Sequence, residues 1–565
     1  MPIITKRWEV APVLPIEIDQ ELSGYPPILR QLLYNRGYFT HDKARIYLEA
    51  QTPPGCEPGN MLDLPKAVER VIYAIQHEEK IIIYGDYDAD GVTATALLAI
   101  ALKALGANVE EYIPNRFDEG YGLNLEAIRS LSEQGACLVI TVDCGIRSWD
   151  EAEYARSLGL DLIITDHHHP LLELPPAFAV VNPKQAGDMY PEKNLSGVGL
   201  AYKLVEALAE SGQYPDLDAH DFLDLVALGT VADLVPLTGE NRSLVRAGLE
   251  LIRQPILQGL MALIGVSGLK PARITTGDIS FMLAPRLNAS GRLESALASL
   301  HLLTSQDPML AGQLAQWLEI QNRERQKITR EIQAKAEAQI IIDDQVPLLL
   351  FTADPEFNPG VVGLAASRLT EQYYRPSIIG SVGEDYTRAS CRSIPEFHIT
   401  NALDQCADLL EHHGGHAAAA GFTVRNDRLQ TLIDRLRQIA SEQLSDLELR
   451  PKITAEMDIT LTELKPELLK YIGWLQPTGM GNPMPIFMSR RLKVLRQRVI
   501  GTDGIHLKLT VTDGRITFDA IAFRQGHWIA QLPPIVDLMY TFEINEFNGQ
   551  VSLQLNVKDI RASQA

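Results

Sequence analysis

Three short apolar runs, each stopping in acids or imidazoles, restrict this chain more than any other feature of its 565 residues. Lys80-Ile81-Ile82-Ile83-Tyr84 runs straight into Gly85-Asp86-Tyr87-Asp88-Ala89-Asp90-Gly91. Cys137 to Val142 runs into Asp143, and Leu162 to Thr165 runs into Asp166-His167-His168-His169. Runs of this length suit buried strands, and the Ala/Leu-rich stretch from Val92 to Gly106 suits a helix closed by glycine. Strands alternating with helices predict an α/β fold with a mostly parallel, doubly wound sheet. Ligands of such sheets sit outside the carboxyl ends of the strands, where these acids and histidines would collect.

The chemistry of that edge follows from charge. If the first strand stays extended, Asp86, Asp88 and Asp90 point the same way, and three like charges repel unless a cation lies among them. The spacing resembles the start of an EF-hand loop, but position twelve is Leu97 rather than glutamate and a strand precedes it, so that reading fails. An Asp-rich turn that caps the next helix is the plainer alternative for this segment alone. A further acid, Asp233, stands in the apolar segment Leu228 to Pro236, read as part of a buried helix over 225–234, where a lone carboxylate would be costly. Carboxylates with imidazole and no thiolate fit Mn2+, or Mg2+, better than zinc. Several acids suggest two ions, the arrangement suited to phosphodiester hydrolysis.

Length predicts about three or four domains. Residues 1–65 read as an N-terminal cap of short helices, 66–304 as the catalytic α/β domain, and 305–342 as a connecting helix centred on the polar stretch 308–340. A second α/β domain spans 343–448, opening with a strand over Val346 to Phe351, and a β-rich domain spans 452–562. No apolar run approaches the roughly 18 residues of a membrane helix, and the N-terminus lacks an apolar signal-peptide core. Five cysteines without a CxxC pair point to a reducing, cytoplasmic setting and no membrane.

The formal charge of −21 opposes nucleic-acid binding unless carboxylates are neutralised by ions and basic residues are concentrated locally. The β-rich region supplies such a concentration: Arg490, Arg491, Lys493, Arg496 and Arg498, near His506 and Lys508, with Phe518, Phe523 and Trp528 as candidate stacking groups. A solvated basic edge strand is the alternative. Glu411 to Phe422, EHHGGHAAAAGF, offers glycines whose backbone amides could cradle a phosphate, or else a tightly packed Gly/Ala-rich helix start.

GDYDADG, TVDCG, TDHH and GTVADLVPL resemble the four motifs of the DHH phosphoesterase superfamily. Residues 411–422 resemble the glycine-histidine signature of the DHH-associated domain, as do Pro359-Gly360-Val361-Val362-Gly363, Ser367-Arg368 and Ser390-Cys391-Arg392-Ser393. Three further stretches are similar to the RecJ branch: Ile113 to Arg116 with Glu119 to Gly122, Ala284 to Arg292, and Ser393 to His398. Pro477 to Pro483 resembles the start of its oligonucleotide-binding (OB) barrel, and the likeness runs from about residue 20 to 560. The resemblance implies a metal-dependent exonuclease acting on single-stranded DNA with 5′-to-3′ polarity, in repair and recombination. It implies Asp88, Asp90, Asp143, His167 and Asp233 as ligands of Mn2+ or Mg2+, with Asp86 beside them. It sets His168 near the scissile phosphate and gives Asp166 the task of orienting the histidines, while Asp143, by its position at the middle strand end, is expected to bridge two ions. Arg116 and Arg292 are expected on the terminal phosphate. Arg368, Ser390, Arg392, Ser393, Gly414, Gly415, His416, Arg490, Arg491 and Lys493 are expected along the strand. Single-strand-binding protein and a helicase are the implied partners. An oligonucleotide or cyclic-dinucleotide phosphodiesterase and a non-catalytic replication scaffold are the rival readings.

Overall fold

The computed structural model describes residues 5–563, apart from 116–118, 121, 344, 502–503 and 548. The chain divides into two compact units that do not follow chain order. One comprises Val10–Glu319 with Thr454–Ala565, the other Met1–Glu9 with Ile320–Ile453.

In the first unit, β1 (Lys80–Gly85), β2 (Asn108–Tyr112), β3 (Leu138–Val142), β4 (Asp161–Thr165) and β5 (Ala179–Val181) form an all-parallel sheet in the order β2-β1-β3-β4-β5. The central strands are buried along almost their whole length, which is why their sequences are unbroken apolar runs rather than alternating ones. β2 lies at an edge, and its sequence, Asn-Val-Glu-Glu-Tyr, shows no such run. Helices α1 (Ala89–Ala104), α2 (Gly197–Glu210) and α3 (Leu223–Ala232) pack with the sheet into the largest apolar core. Nearly every residue of α1 is buried, so it has no polar face to betray a helical period. The predicted helix over 225–234 stops at Ala232, which makes Asp233 its C-cap, and Leu234 is exposed with φ +61°. A π-turn over Ile279–Leu283 leads into α4 (Ala284–Leu293), and α5 (Pro308–Ile340) is the expected long helix.

The second unit carries a mixed sheet of β6 (Leu350–Asp354), β7 (Ser377–Val382), β8 (Tyr386–Arg392), β9 (Leu410–His416) and β10 (Ala419–Arg425), in the order β9-β10-β8-β7-β6. α6 (Val362–Tyr373) packs on β7 and β8. The strand expected from Val346 begins later, at Leu350. The segment read as a possible helix start at 411–422 is instead the β9–β10 hairpin, in which Gly414 pairs with Gly421 and Gly415 with Ala420.

The C-terminal part of the first unit is a closed barrel of five strands: β12 (Phe487–Ile500), β13 (His506–Thr512), β14 (Thr517–Ala522), β15 (Ile535–Phe547) and β16 (Gln550–Ala562). β11 (Met457–Asp458) is added beside β12. Closure comes from β12, which pairs with both β13 and β15. The N-terminal helices Ile16–Glu21, Pro27–Asn35 and His41–Glu49 are not independent of it. Leu22, Leu29, Leu32, Leu33 and Tyr47 share one apolar core with Leu461, Phe487, Leu507, Val536 and Tyr540.

A single arginine fastens that assembly. Arg242 is 1% exposed, and its five N–H groups donate to the carbonyls of Tyr47, Trp474, Leu475, Gln476 and Pro477 at 2.8–3.2 Å. Its guanidinium lies 4.1 Å from the centre of the Tyr47 ring. Asn482 also donates to Leu475 and Pro477, so the Trp474 and Gln476 carbonyls depend most on the arginine. Replacing Arg242 by methionine fills similar space but leaves those acceptors unmet, and is expected to lower stability by about 3 kcal/mol. Urea unfolding followed by tryptophan fluorescence checks this; an unchanged midpoint would show that water replaces the guanidinium at little cost.

Candidate active site

The first strand does not stay extended through its acids. β1 ends at Gly85 and α1 begins at Ala89, so Asp86 lies in the intervening loop, Asp88 is the helix N-cap and Asp90 stands in the first helical turn. A strand-loop-helix turn, rather than a continued pleat, therefore brings the three carboxylates together. Asp88 Oδ1 accepts from the amides of Asp90 and Gly91 at 2.9 and 3.1 Å, so the capping role and the clustering of charge coexist in one residue. Asp90, 1% exposed, receives Gly197 N on Oδ2 at 2.6 Å and Val198 N on Oδ1 at 2.9 Å. These amides open α2, so the partial positive charge of that helix end holds the carboxylate. α4 closes the loop from another side: Asn288 Oδ1 accepts from Ala89 N at 2.8 Å, and Gly291 packs so closely that a Cβ there would lie 2.6 Å from Tyr87 O.

Asp143 follows β3 with φ +62°, its amide donating to Thr165 O at 3.0 Å. A Cβ on Gly197 would lie 2.5 Å from Asp143 Cβ, so only glycine permits α2 to start where it does. Three sets of ligand atoms, each gathered within 4.8 Å, result: Asp86, Asp88 and Asp143; Asp90, His167 and Asp233; and Asp143, His167 and His168. His167 Nε2 is 3.1 Å from Asp143 Oδ1, 3.6 Å from Asp233 Oδ2 and 4.0 Å from Asp90 Oδ2. Asp166 stands outside these sets. Its Oδ1 accepts from the amide and Nδ1 of His168 at 3.0 and 2.8 Å, and its Oδ2 from Ile146 N at 2.9 Å. The cluster lies at the ends of β1 and β3, where the strand order 2-1-3-4-5 reverses direction.

Burial and mutual repulsion make this collection of charge unfavourable by itself. Burial first, then Asp88, raises Asp90 to about 7. Burial, then Asp90 and Asp88, raises Asp233 to about 9, and Asp143 is pushed well up by burial and by its four neighbouring aspartates. Burial also drives His167 down to about 3, leaving a neutral imidazole suited to a metal. Burial works against the charged forms of Asp166 and His168, but the hydrogen bond between them prevails, lowering the acid and raising the histidine. Buried carboxylates that repel one another around a neutral imidazole, without a thiolate, are the donor set of hard divalent ions, and Mn2+ or Mg2+ fits it.

The other candidate groups are distributed as follows. Arg116 lies outside the described residues. Arg292 is half-buried and directly follows Gly291, beside the Asp86–Asp88 loop. In the second unit, Ser390 Oγ and Arg392 Nη2 converge on Gly363, within 3.3 and 3.1 Å of where its Cβ would be. Arg368 is half-buried on α6. Ser393 is differently engaged: its hydroxyl donates to Phe397 O at 2.6 Å and its amide to Ala418 O. Gly414, Gly415 and His416 are exposed on β9, and Gly415 has φ +144°. On the barrel, Arg490 is paired with Asp458 at 2.6 Å, Arg491 occupies a bulge with φ +55°, and Lys493 is exposed. Arg496 and Arg498 are exposed on β12, and Arg498 stands directly opposite Lys508 of β13. Phe518 is not available for stacking, being 9% exposed in the barrel core against Phe542, and Trp528 is half-buried. Phe523 is exposed. The groups that hold the aspartates in place, Gly197, Val198 and Asn288, act through backbone amides or across long sequence gaps, so residue type alone could not reveal them.

Comparison with known proteins adds the lineage. Residues 80–230 match the DHH family N-terminal domain, 345–442 the DHHA1 domain and 455–559 the RecJ OB domain. The single-stranded-DNA-specific exonuclease RecJ of Bacillus subtilis is 39% identical over 99% of this chain and 71% of its own length. This chain belongs to the RecJ family. The Escherichia coli RecJ is 34% identical over 96% of this chain and 98% of its own. RecJ of Thermus thermophilus in complex with Mn2+ superposes with a TM-score of 0.85 at 30% identity, covering 99% of this chain and 80% of that one; its complex with Mg2+ gives 0.79 at 28%. The donor set of this chain and the Mn2+ and Mg2+ complexes of its relative thus agree on hard divalent cations.

The raised acids also set a stability test. Asp90 and Asp233 titrate above their unfolded values, so between about pH 4 and 9 the metal-free folded protein binds more protons than the unfolded chain. Stability of the metal-free protein should therefore fall as pH rises from 5 to 9, and saturating Mn2+ should flatten that fall. Thermal melts with EDTA and with Mn2+ across this range check it; parallel pH profiles would deny the coupling.

Proposed function

We propose that this chain is a metal-dependent exonuclease that hydrolyses phosphodiester bonds of single-stranded DNA from the 5′ end. The observation that carries the reading is the sharing of Asp143 between two sets of ligand atoms, one with Asp86 and Asp88 and one with His167. In it, Asp86, Asp88, Asp90, Asp143, His167 and Asp233 hold two ions. Bound Mn2+ or Mg2+ supplies Lewis acidity that polarises the phosphodiester and makes water a better nucleophile. The remaining work falls to this chain's own groups. Asp166 fixes the Nδ1 side of the half-buried His168, and the raised basicity favours a proton held on that ring for a phosphate oxygen. Arg292, beside the metal loop, is the group for the terminal phosphate, and in the second unit Ser390, Arg392 and the glycines of β9 suit nucleic-acid phosphates. The names of the relatives support single-stranded DNA as the substrate. Repair and recombination as the setting, the cytoplasm as the place, and single-strand-binding protein and a helicase as partners complete the reading. Among the described residues no helix is long and apolar enough to cross a membrane, and all five cysteines are free thiols.

The decisive variant is Asp143→Ala. It should reduce release of nucleotides from end-labelled single strands by at least about 10³-fold, the scale of roughly 4 kcal/mol of lost transition-state stabilisation, while the fold persists. EDTA should abolish the wild-type activity and Mn2+ restore it, with blunt duplexes attacked far more slowly than single strands. Wild-type turnover by metal-saturated Asp143→Ala would remove the shared-ligand reading.

The barrel contributes through charge. Arg498 stands opposite Lys508, which is paired with Asp519 at 3.2 Å, so the exposed Arg496 and Arg498 are the charges this face offers to a strand. Because the N-terminal helices share the barrel's core, substitution tests this face better than truncation. Arg496→Ala with Arg498→Ala should make the salt dependence of strand binding shallower by about 1.4 in log–log slope, two phosphate contacts' worth. Turnover on very short oligonucleotides should stay unchanged. An unaltered slope would assign this face another role.

A further inference from the structure

The segment Asn182-Pro183-Lys184 follows the short edge strand β5 and suggests no chemistry by itself. Its side chains nevertheless reach the catalytic turn. Lys184 Nζ donates to His167 O at 2.5 Å, and Asn182 Nδ2 donates to His168 O at 2.9 Å. Asn182 is fully buried, and its own Oδ1 accepts from Lys184 N at 2.8 Å, so the two residues form one rigid grip. The turn is held at its remaining positions as well. Asp166 N donates to Val181 O at 3.2 Å, and Arg147 Nε donates to His169 O at 3.0 Å. Three consecutive carbonyls, those of His167, His168 and His169, thus accept from side chains of two other segments.

A side chain that spans to a backbone carbonyl fixes peptide orientation, and peptide orientation decides where a histidine's Cβ, and hence its ring, points. We propose that Asn182 and Lys184 are positioning residues for the reaction: their grip aims His167 Nε2 at Asp143 and Asp233 and presents His168 at the substrate side. The inference rests on the metal-centre reading given above. Two effects of Lys184 oppose each other here. Its ammonium interacts electrostatically with Asp233 and Asp166. As a mere positive charge it would repel a divalent ion, so its removal would tighten metal binding. As a holder of His167 it does the reverse, because loss of a group that orients a ligand commonly weakens metal affinity about 10- to 100-fold.

The sign of the change is therefore the test. Mn2+ is titrated into the full chain, first freed of metal, by calorimetry and by the loss of the free-ion EPR signal. Wild type is expected to take up two ions. Lys184→Met should bind one of them about 10- to 100-fold more weakly, the ion that uses His167, while the ion held by Asp86, Asp88 and Asp143 changes little. Lys184→Arg, which keeps a donor on a long stem, should recover most of the affinity. Circular dichroism and melting confirm that the variants are folded; should Lys184→Met not fold, Lys184→Gln, which shortens the reach to the carbonyl, is expected to show the same weakening. Unchanged or tighter binding of both ions by the folded variant would overturn the positioning role. Wild-type protein that takes up no Mn2+ would instead overturn the metal reading beneath it.

Discussion

Mutual repulsion among buried aspartates is the constraint around which the first unit is built. Asp86, Asp88, Asp90, Asp143 and Asp233 arrive from a strand-helix loop, a second strand end and a helix C-terminus, and nothing in their own chemistry would keep them together. The surroundings oppose the repulsion with fixed dipoles. The first amides of α2 hold Asp90, the first amides of α1 hold Asp88, and a neutral imidazole faces Asp143. Preorganisation of this kind spends folding free energy on a geometry that only cations complete, a familiar stability-function trade.

The close approaches around the site have the same origin. Gly197 and Gly291 stand where any side chain would collide with Asp143 or with the Tyr87 carbonyl. Such contacts leave the carboxylates little room to shift, as a functional site with a tolerance of about 0.5 Å demands. Asp143 itself accepts a left-handed backbone, a conformation aspartate tolerates better than most residues, and its carboxylate meets both Asp86 with Asp88 and His167.

Much of this was legible in the sequence because burial and chemistry leave different marks. Unbroken apolar strands and the acids that end them located the sheet and the centre, and the long polar helix showed its ends clearly. What escaped detection lacked a local mark. β2 is an edge strand of mixed composition, and the β9–β10 hairpin is written in glycine and alanine, both depleted in strands, with alanine the best helix former. Phe518 stood as a stacking candidate because it is an aromatic in the basic β-rich region, yet strand alternation turns it into the barrel core. Asn182 and Lys184 act on backbone carbonyls, which every residue possesses, so nothing at positions 167 and 168 advertised the need for them.

The shared core of the N-terminal helices and the C-terminal barrel has a consequence for biosynthesis. Leu22, Leu29 and Leu32 leave the ribosome several hundred residues before their partners, which lie between Ile459 and Ile560. At ordinary translation rates those helices wait on the order of half a minute to two minutes without a hydrophobic surface to cover them. During that interval the parallel sheet between them can already assemble, since its strands and covering helices lie together in sequence. The nascent chain can thus complete the parallel sheet and its acidic centre before the barrel core closes, and the N-terminal helices are the part most in need of a chaperone.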